Sequence, residues 1–172
     1  RYNNWFCSGN TVELDTKRNT MSNFRLSSRS LGRLEGVDEQ LVSCVHRAIT
    51  LTKIDFGVSE GVRSLARQEE LFNKGASKTM KSNHLTGKAV DLVAYIGSQV
   101  SWELKVYDDI AEAMKESAIE VGIPLRWGAA WHLNDIRAWN APMESLMTSY
   151  IDLRRNQGRR PFIDAPHFEL RM

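Results

Sequence analysis

Cysteine and proline are scarce in this 172-residue sequence, at two and four residues, and aromatic residues make up 9% of it. Cys7 and Cys44 form neither a CxxC pair nor part of an evenly spaced set, which leaves no disulfide scaffold or cysteine-type zinc knuckle; both read as ordinary thiols. No run approaches the ~20 apolar residues that a membrane-spanning helix needs. The stretch RYNNWFCSGNTVELDTKRNT lacks the apolar segment of a secretory signal, so the chain is expected to be made and kept in the cytosol. An excess of one charge is missing too. The 23 Lys and Arg face 21 Asp and Glu, a formal +2, which disfavours a dedicated nucleic-acid binder. Repeats, low-complexity tracts and Pro/Gly/Ser linkers are absent, which points to one domain.

What remains is ordinary globular usage, 42% hydrophobic and 26% charged. Folding at this size buries roughly 70% of the surface that the unfolded chain exposes, so the core needs no staple and a cofactor would serve chemistry. Met21 opens a stretch that reads like a natural start. Residues 1–20 are therefore expected to be an extension or expression remnant, and residues 21–172 a single functional domain.

Apolar residues at Val37, Leu41, Val45, Ala48 and Ile49 recur at helical spacing, which predicts a helix over Val37–Thr52 with Asp38 and Glu39 in its first turn. Ile54–Ser59 reads as a short strand. Ser64 is suited to cap a helix over Leu65–Lys74 that stops at Gly75. Ala89–Ile96 is rich in strand formers, and Trp102–Val121 carries one apolar stripe ended by Gly122 and Pro124. Leu125–Trp127 and His167–Arg171 read as strands. Pro142 opens a further helix that buries Met143, Leu146, Met147 and Tyr150 and closes near Gly158. Short strands among long helices, without βαβ alternation, predict an α+β fold with a small, mostly antiparallel sheet and helices mainly on one side.

Two segments carry chemistry. In SNHLTGKAVD, His84 sits in a polar loop and Asp91 inside an apolar strand, where a charge needs a partner; Gly87 permits a tight turn between them. In DAPHFEL, Asp164, His167 and Glu169 meet at the start of the last strand, with Pro166 stiffening the approach. Two histidines and one carboxylate make a three-ligand zinc site whose fourth position is open to water, which is the pattern of catalytic zinc. Zinc lowers the pKa of bound water to about 7, so hydrolysis is the expected reaction. A further carboxylate must move the proton, and Asp164 is the candidate.

The pattern SxHxxGxAxD, at Ser82, His84, Gly87, Ala89 and Asp91, together with the late DxPHFEL, resembles the D-alanyl-D-alanine peptidase and L-alanyl-D-glutamate endopeptidase family of zinc enzymes. It is most similar to the phage endolysin branch, which cuts the peptide stems of bacterial peptidoglycan. The similarity runs from about Val37 to Met172, with EGVRS and LRWGAAW in the expected order. The resemblance implies a fold of the hedgehog/D-alanyl-D-alanine peptidase kind. It also implies one Zn2+ on His84, Asp91 and His167, Asp164 as general acid/base, and Arg63 steadying the oxyanion. It gives Ser82 a supporting or substrate-positioning task. The implied partner is the stem peptide, with no nucleic acid and no membrane span, and the implied state is a monomer. Such an enzyme would work from the host bacterial cytoplasm and reach the wall after membrane permeabilisation. The family often has an acidic residue before the second tryptophan of WGxxW, where this chain has Ala130; His132 or Asp135 is the expected replacement. An insert over 134–160 is a second departure, and is expected to form one wall of the groove.

Plainer readings stand beside these. His46 suits a structural place on its helix, and His132 suits the surface as well as the substrate. Glu169 shares a strand face with His167 and is the alternative base. Trp127, Trp131 and Trp139 fit a groove wall or the core, and Arg154, Arg155, Arg159 and Arg160 fit an anionic wall or a solvated helix end. The rival functions are a D-alanyl-D-alanine carboxypeptidase or dipeptidase, and a catalytically silent zinc-binding domain that recognises the wall.

Overall fold

A computed structural model describes residues 22–171. Cys7 and Met21 lie outside them. The helices are α1 (Ser28–Arg33), α2 (Glu39–Leu51), α3 (Leu65–Asn73), α4 (Leu104–Val121) and α5 (Met143–Asn156). The strands are β1 (Asp55–Glu60), β2 (Ala89–Ile96), β3 (Gln99–Ser101), β4 (Leu125–Trp127) and β5 (His167–Leu170). Short 3-10 turns cover Asn83–Thr86 and Ile136–Ala138. None of the described helices is long and apolar enough to cross a membrane.

All the strand pairings are antiparallel, in the order β1-β2-β5-β4, and β3 also pairs β2. β1 takes one edge of β2. The other edge is divided, with β5 beside Ala89–Asp91 and β3 beside Ala94–Ile96. Side chains alternate between the faces of a strand, and the sequence uses that period to separate core from chemistry. Phe56, Val58, Val90, Leu92, Ala94, Leu125, Trp127, Phe168 and Leu170 join the buried core with α2 and α4. Asp91, Arg126, His167 and Glu169, one position out of phase, line a cavity on the opposite face.

One irregularity matters to that division. Register slips between Val58 and Glu60, a β-bulge that sets Glu60 opposite Asp91. Strict alternation after Phe56 and Val58 would send Glu60 into the core. The extra residue turns it to the cavity instead, and Ser59 Oγ donates to the Asp91 carbonyl at 2.9 Å.

Local signals explain the helices. Asp38 does not enter α2; it is the N-cap, accepting from the Gln40 amide, and Glu39 begins the helix. Ser64 accepts from the Arg67 amide at the start of α3. Gly122, at φ 81°, ends α4 in the left-handed conformation. α5 follows Pro142 and buries Met143, Leu146, Met147 and Tyr150. Its first amide donates to Glu112 on α4 at 2.6 Å. The short α1 covers the outer edge of β1: Ser30 Oγ accepts from the Val58 amide, and Arg33 donates to the Val58 carbonyl at 2.7 Å. Cys44 is a buried thiol facing the core, free among the described residues, and burial pushes it up to about 11.

Candidate metal centre and active site

His84, expected in a polar loop, is held in a regular turn. It lies on the 3-10 turn Asn83–Thr86, only 1% exposed, because Ser82 caps that turn and Gly87 ends it at φ 69°. A Cβ at Gly87 would stand 2.4 Å from the Gly36 carbonyl, so the turn is pressed against the residues leading into α2. Asp91 comes from the middle of β2, and β5 brings His167 directly opposite it.

Three donor atoms converge. His167 Nδ1 is 2.9 Å from Asp91 Oδ1, and His84 Nε2 is 3.2 Å from both. A tetrahedral zinc site with bonds of about 2.0–2.1 Å has edges of about 3.3 Å, so these separations already match a metal's coordination sphere. Among the described residues this is the group of histidines and carboxylates able to hold a metal ion.

The outer nitrogens are held as well. His84 Nδ1 donates to the Gly61 carbonyl at 2.7 Å, and His167 Nε2 is 3.2 Å from Glu169 Oε2. A neutral ring that donates outward presents a lone pair inward, which is what a metal needs. Burial works against a charged His167, but its bonds to Asp91 and Glu169 outweigh that and push it up to about 9. A metal at Nδ1 needs the neutral ring, so its binding would release a proton there. Burial also pushes the Asp91 carboxyl up, yet His167 and His84 bring it well below the usual range. Glu169 is brought down to about 2 by His167, Arg126 and Asn83, against its burial.

Asp164 lines the same cavity, of roughly 520 Å³, on the turn before β5. Its carboxyl makes no hydrogen bond or ion pair among the described residues. Burial and the nearby Asp91 charge raise it from its ordinary value. Gly128 lets the turn come close, since a Cβ there would be 2.3 Å from the Asp164 carbonyl and 2.9 Å from His167 Cβ.

Arg63 is 9% exposed and reaches the site from the segment between β1 and α3. It donates to Glu60, to Asp91 at 3.3 Å and to Gln68 at 2.8 Å, while its Nε is buried without a partner among the described residues. Of a guanidinium's five N–H donors, some therefore remain for a ligand. Gln68, 0% exposed on α3, also donates to Ser77 and Thr79, which ties Arg63 to the cavity rim.

The structure separates the tryptophans. Trp131 lines the cavity, with its ring 5.4 Å from His167, 6.2 Å from Phe162 and 4.9 Å from the Arg126 guanidinium. Trp127 belongs to the core and donates to the Ala165 carbonyl, and Trp139 turns to Pro142 and Ser145. His132 does not reach the cavity, because its ring stacks on Tyr150 and its Nε2 meets Ser149 on α5. Asp135 pairs with Arg137, so neither residue stands in for the family's acidic group, and Ala130 is buried in the core. The segment 134–160 packs α5 on the core and α4 instead of walling the cavity. His46 is exposed, and Arg155, Arg159 and Arg160 are exposed at the end of α5.

Glu60, Gln68, Asn83, Arg126 and Phe162 are site residues that motif reading passed over. Arg126 and Glu169 face each other across β4 and β5 and form an ion pair. That pairing has a sequence signal, opposite charges at the polar positions of two neighbouring strands.

Comparison with known proteins agrees with this geometry. The structure resembles that of the L-Ala D-Glu endopeptidase ChiX of Serratia marcescens, with a TM-score of 0.64 and 35% identity, covering 86% of this chain and 90% of that one. The L-alanyl-D-glutamate peptidase of Escherichia phage T5 is 31% identical over 113 residues, 63% of this chain and 82% of that protein. That of Listeria phage A118 is 28% identical over 107 residues, 60% of this chain but 37% of the longer relative. The family model for phage L-alanyl-D-glutamate peptidases matches residues 21–171. This chain therefore belongs to the phage L-alanyl-D-glutamate peptidase family.

Proposed function

We propose that this protein is a zinc-dependent endolysin that hydrolyses the bond between L-alanine and D-glutamate in peptidoglycan stem peptides. The observation that carries the reading is the convergence of His84, Asp91 and His167 beside Asp164 in one cavity, in a chain of this family. His84 Nε2, Asp91 Oδ1 and His167 Nδ1 would hold the ion. Zinc bound there supplies a Lewis acid and water of lowered pKa.

The chain's own groups do the rest. Asp164, raised by burial and free of hydrogen bonds among the described residues, takes a proton from the attacking water at its carboxylate and returns it to the leaving amine. Arg63, held by Glu60 and Gln68, directs its remaining N–H groups at the carbonyl oxygen as charge develops there. Glu169 is spent on orienting His167 and on pairing Arg126, which favours Asp164 as the base. Trp131 closes one wall, and Ser82 holds the turn that carries His84.

Residues 21–172 are read as one catalytic domain that works as a monomer, acting from the host cytoplasm and reaching the wall once the membrane is breached. The test is digestion of purified peptidoglycan before and after a chelator, and after zinc is restored. New N-terminal D-glutamate in the product mass spectrum, lost with chelation and regained with zinc, supports the reading. Release of terminal D-alanine would assign the rival carboxypeptidase, and activity indifferent to chelator would sink the metallopeptidase.

A further inference from the structure

Five Lys and Arg side chains line the cavity against four carboxylates, Glu60, Asp91, Asp164 and Glu169, so positive charge is left over. Arg63 is matched by Glu60 and Asp91, and Arg126 by Glu169. Lys81 and Arg171 also line the cavity, and neither side chain has a hydrogen bond or ion pair among the described residues.

The segments that carry them meet. Lys81 stands two residues before Asn83, and Arg171 stands two residues after Glu169. Asn83 Nδ2 donates to Glu169 Oε2 at 2.8 Å, so this contact joins the two segments. Glu169 cannot serve as their counter-ion, because His167, Arg126 and Asn83 already occupy its oxygens.

We propose that Lys81 and Arg171 form a carboxylate-binding subsite for the glutamyl residue of the substrate, an inference that rests on the endopeptidase reading. Glutamate joined to alanine through its amine, and to the next residue through one carboxyl, keeps its other carboxyl whichever is used. That group is an anion close to the scissile bond. A guanidinium fork and a mobile ammonium are suited to it, and charge-assisted hydrogen bonds of this kind are among the stronger polar contacts. The subsite thus distinguishes glutamyl from glutaminyl stems.

Two synthetic stem peptides that differ only in this group, one the free acid and one the primary amide, provide the test. The zinc-loaded protein should favour the acid by roughly ten- to a hundredfold in kcat/KM, mainly through KM. Lys81→Gln and Arg171→Gln should each reduce that ratio, the double variant should bring it near unity, and Lys81→Arg should keep most of it. Equal cleavage of both peptides by the unaltered protein overturns the proposal. So does a variant that slows both in equal proportion, since a general structural effect leaves the ratio alone. If the unaltered protein cuts neither peptide, the endopeptidase reading itself fails and the subsite falls with it.

Discussion

The Nδ1–H of His84 is committed to the carbonyl of Gly61 at 2.7 Å. A carbonyl only accepts, so this bond decides which ring nitrogen of His84 carries its proton and leaves Nε2 to the metal centre. The backbone enforces it, and no side-chain substitution can remove the acceptor.

His167 depends on a side chain for the same service, and Glu169 can be changed. Glu169→Gln should weaken zinc affinity roughly ten- to a hundredfold, read by competition with a chromophoric chelator. An affinity equal to that of the unaltered protein would show that the outer bond to His167 does nothing for the metal.

Asp164 makes no hydrogen bond to the donor atoms of His84, Asp91 and His167 through its carboxyl, so its removal should separate chemistry from metal binding. Asp164→Asn is expected to lower kcat by about 10²–10⁴ while zinc content stays stoichiometric. Cleavage at the normal rate would pass the proton-transfer role to another group, with Glu169 the next to examine.

Gly128 has no room for a methyl group. Gly128→Ala would press on the Asp164 carbonyl and His167 Cβ, and overpacking of this kind costs about 1–3 kcal/mol. Thermal denaturation should show the loss of stability, and peptide cleavage should fall further than the loss of folded protein explains. A variant of unchanged melting temperature and activity would mean that the turn relaxes freely.

Away from the site, Asp108 on α4 is pushed up to about 6 by burial and by the charges of Glu144, Asp109 and Glu112, and its Oδ1 is buried without a partner among the described residues. The folded state therefore binds this proton more tightly than the unfolded state. Stability falls as pH rises from near 4 through 6, and the cost is fully present above that window. Because the group is partly exposed, solvent screening limits the effect to about 1 kcal/mol. Asp108→Asn should raise the denaturation midpoint at pH 7 and do little at pH 3.5; an equal gain at both would point away from ionisation.

Legibility in the sequence followed from how local each signal was. β2 and β4 keep their expected bounds, because a run of strand formers between turn residues needs no distant information. α1 and β3 went unseen: six residues capped by Ser27 and a three-residue hairpin arm are too short to display a period. The sequence around His84 reads as a polar loop, but its burial comes from Gly36, Gly61 and β5, far away in sequence. Trp127 and Trp131 look alike in LRWGAAW. Strand phase alone sends the first to the core, and the turn after Gly128 brings the second beside His167. His132 and Asp135 were drawn elsewhere by Ser149, Tyr150 and Arg137, partners that no motif announces.

The slip between Val58 and Glu60 makes the approach to Arg63 a matter of counting. Deleting one residue just after it, Gly61 or Val62, would shorten the step from Glu60 to Arg63 and pull the arginine away from its nearest anchor. The same deletion in the exposed Gly97–Ser98 turn would alter only a hairpin tip. Chain length is thus unequally tolerated along this protein, and natural or engineered indels should avoid the few residues between the bulge and α3.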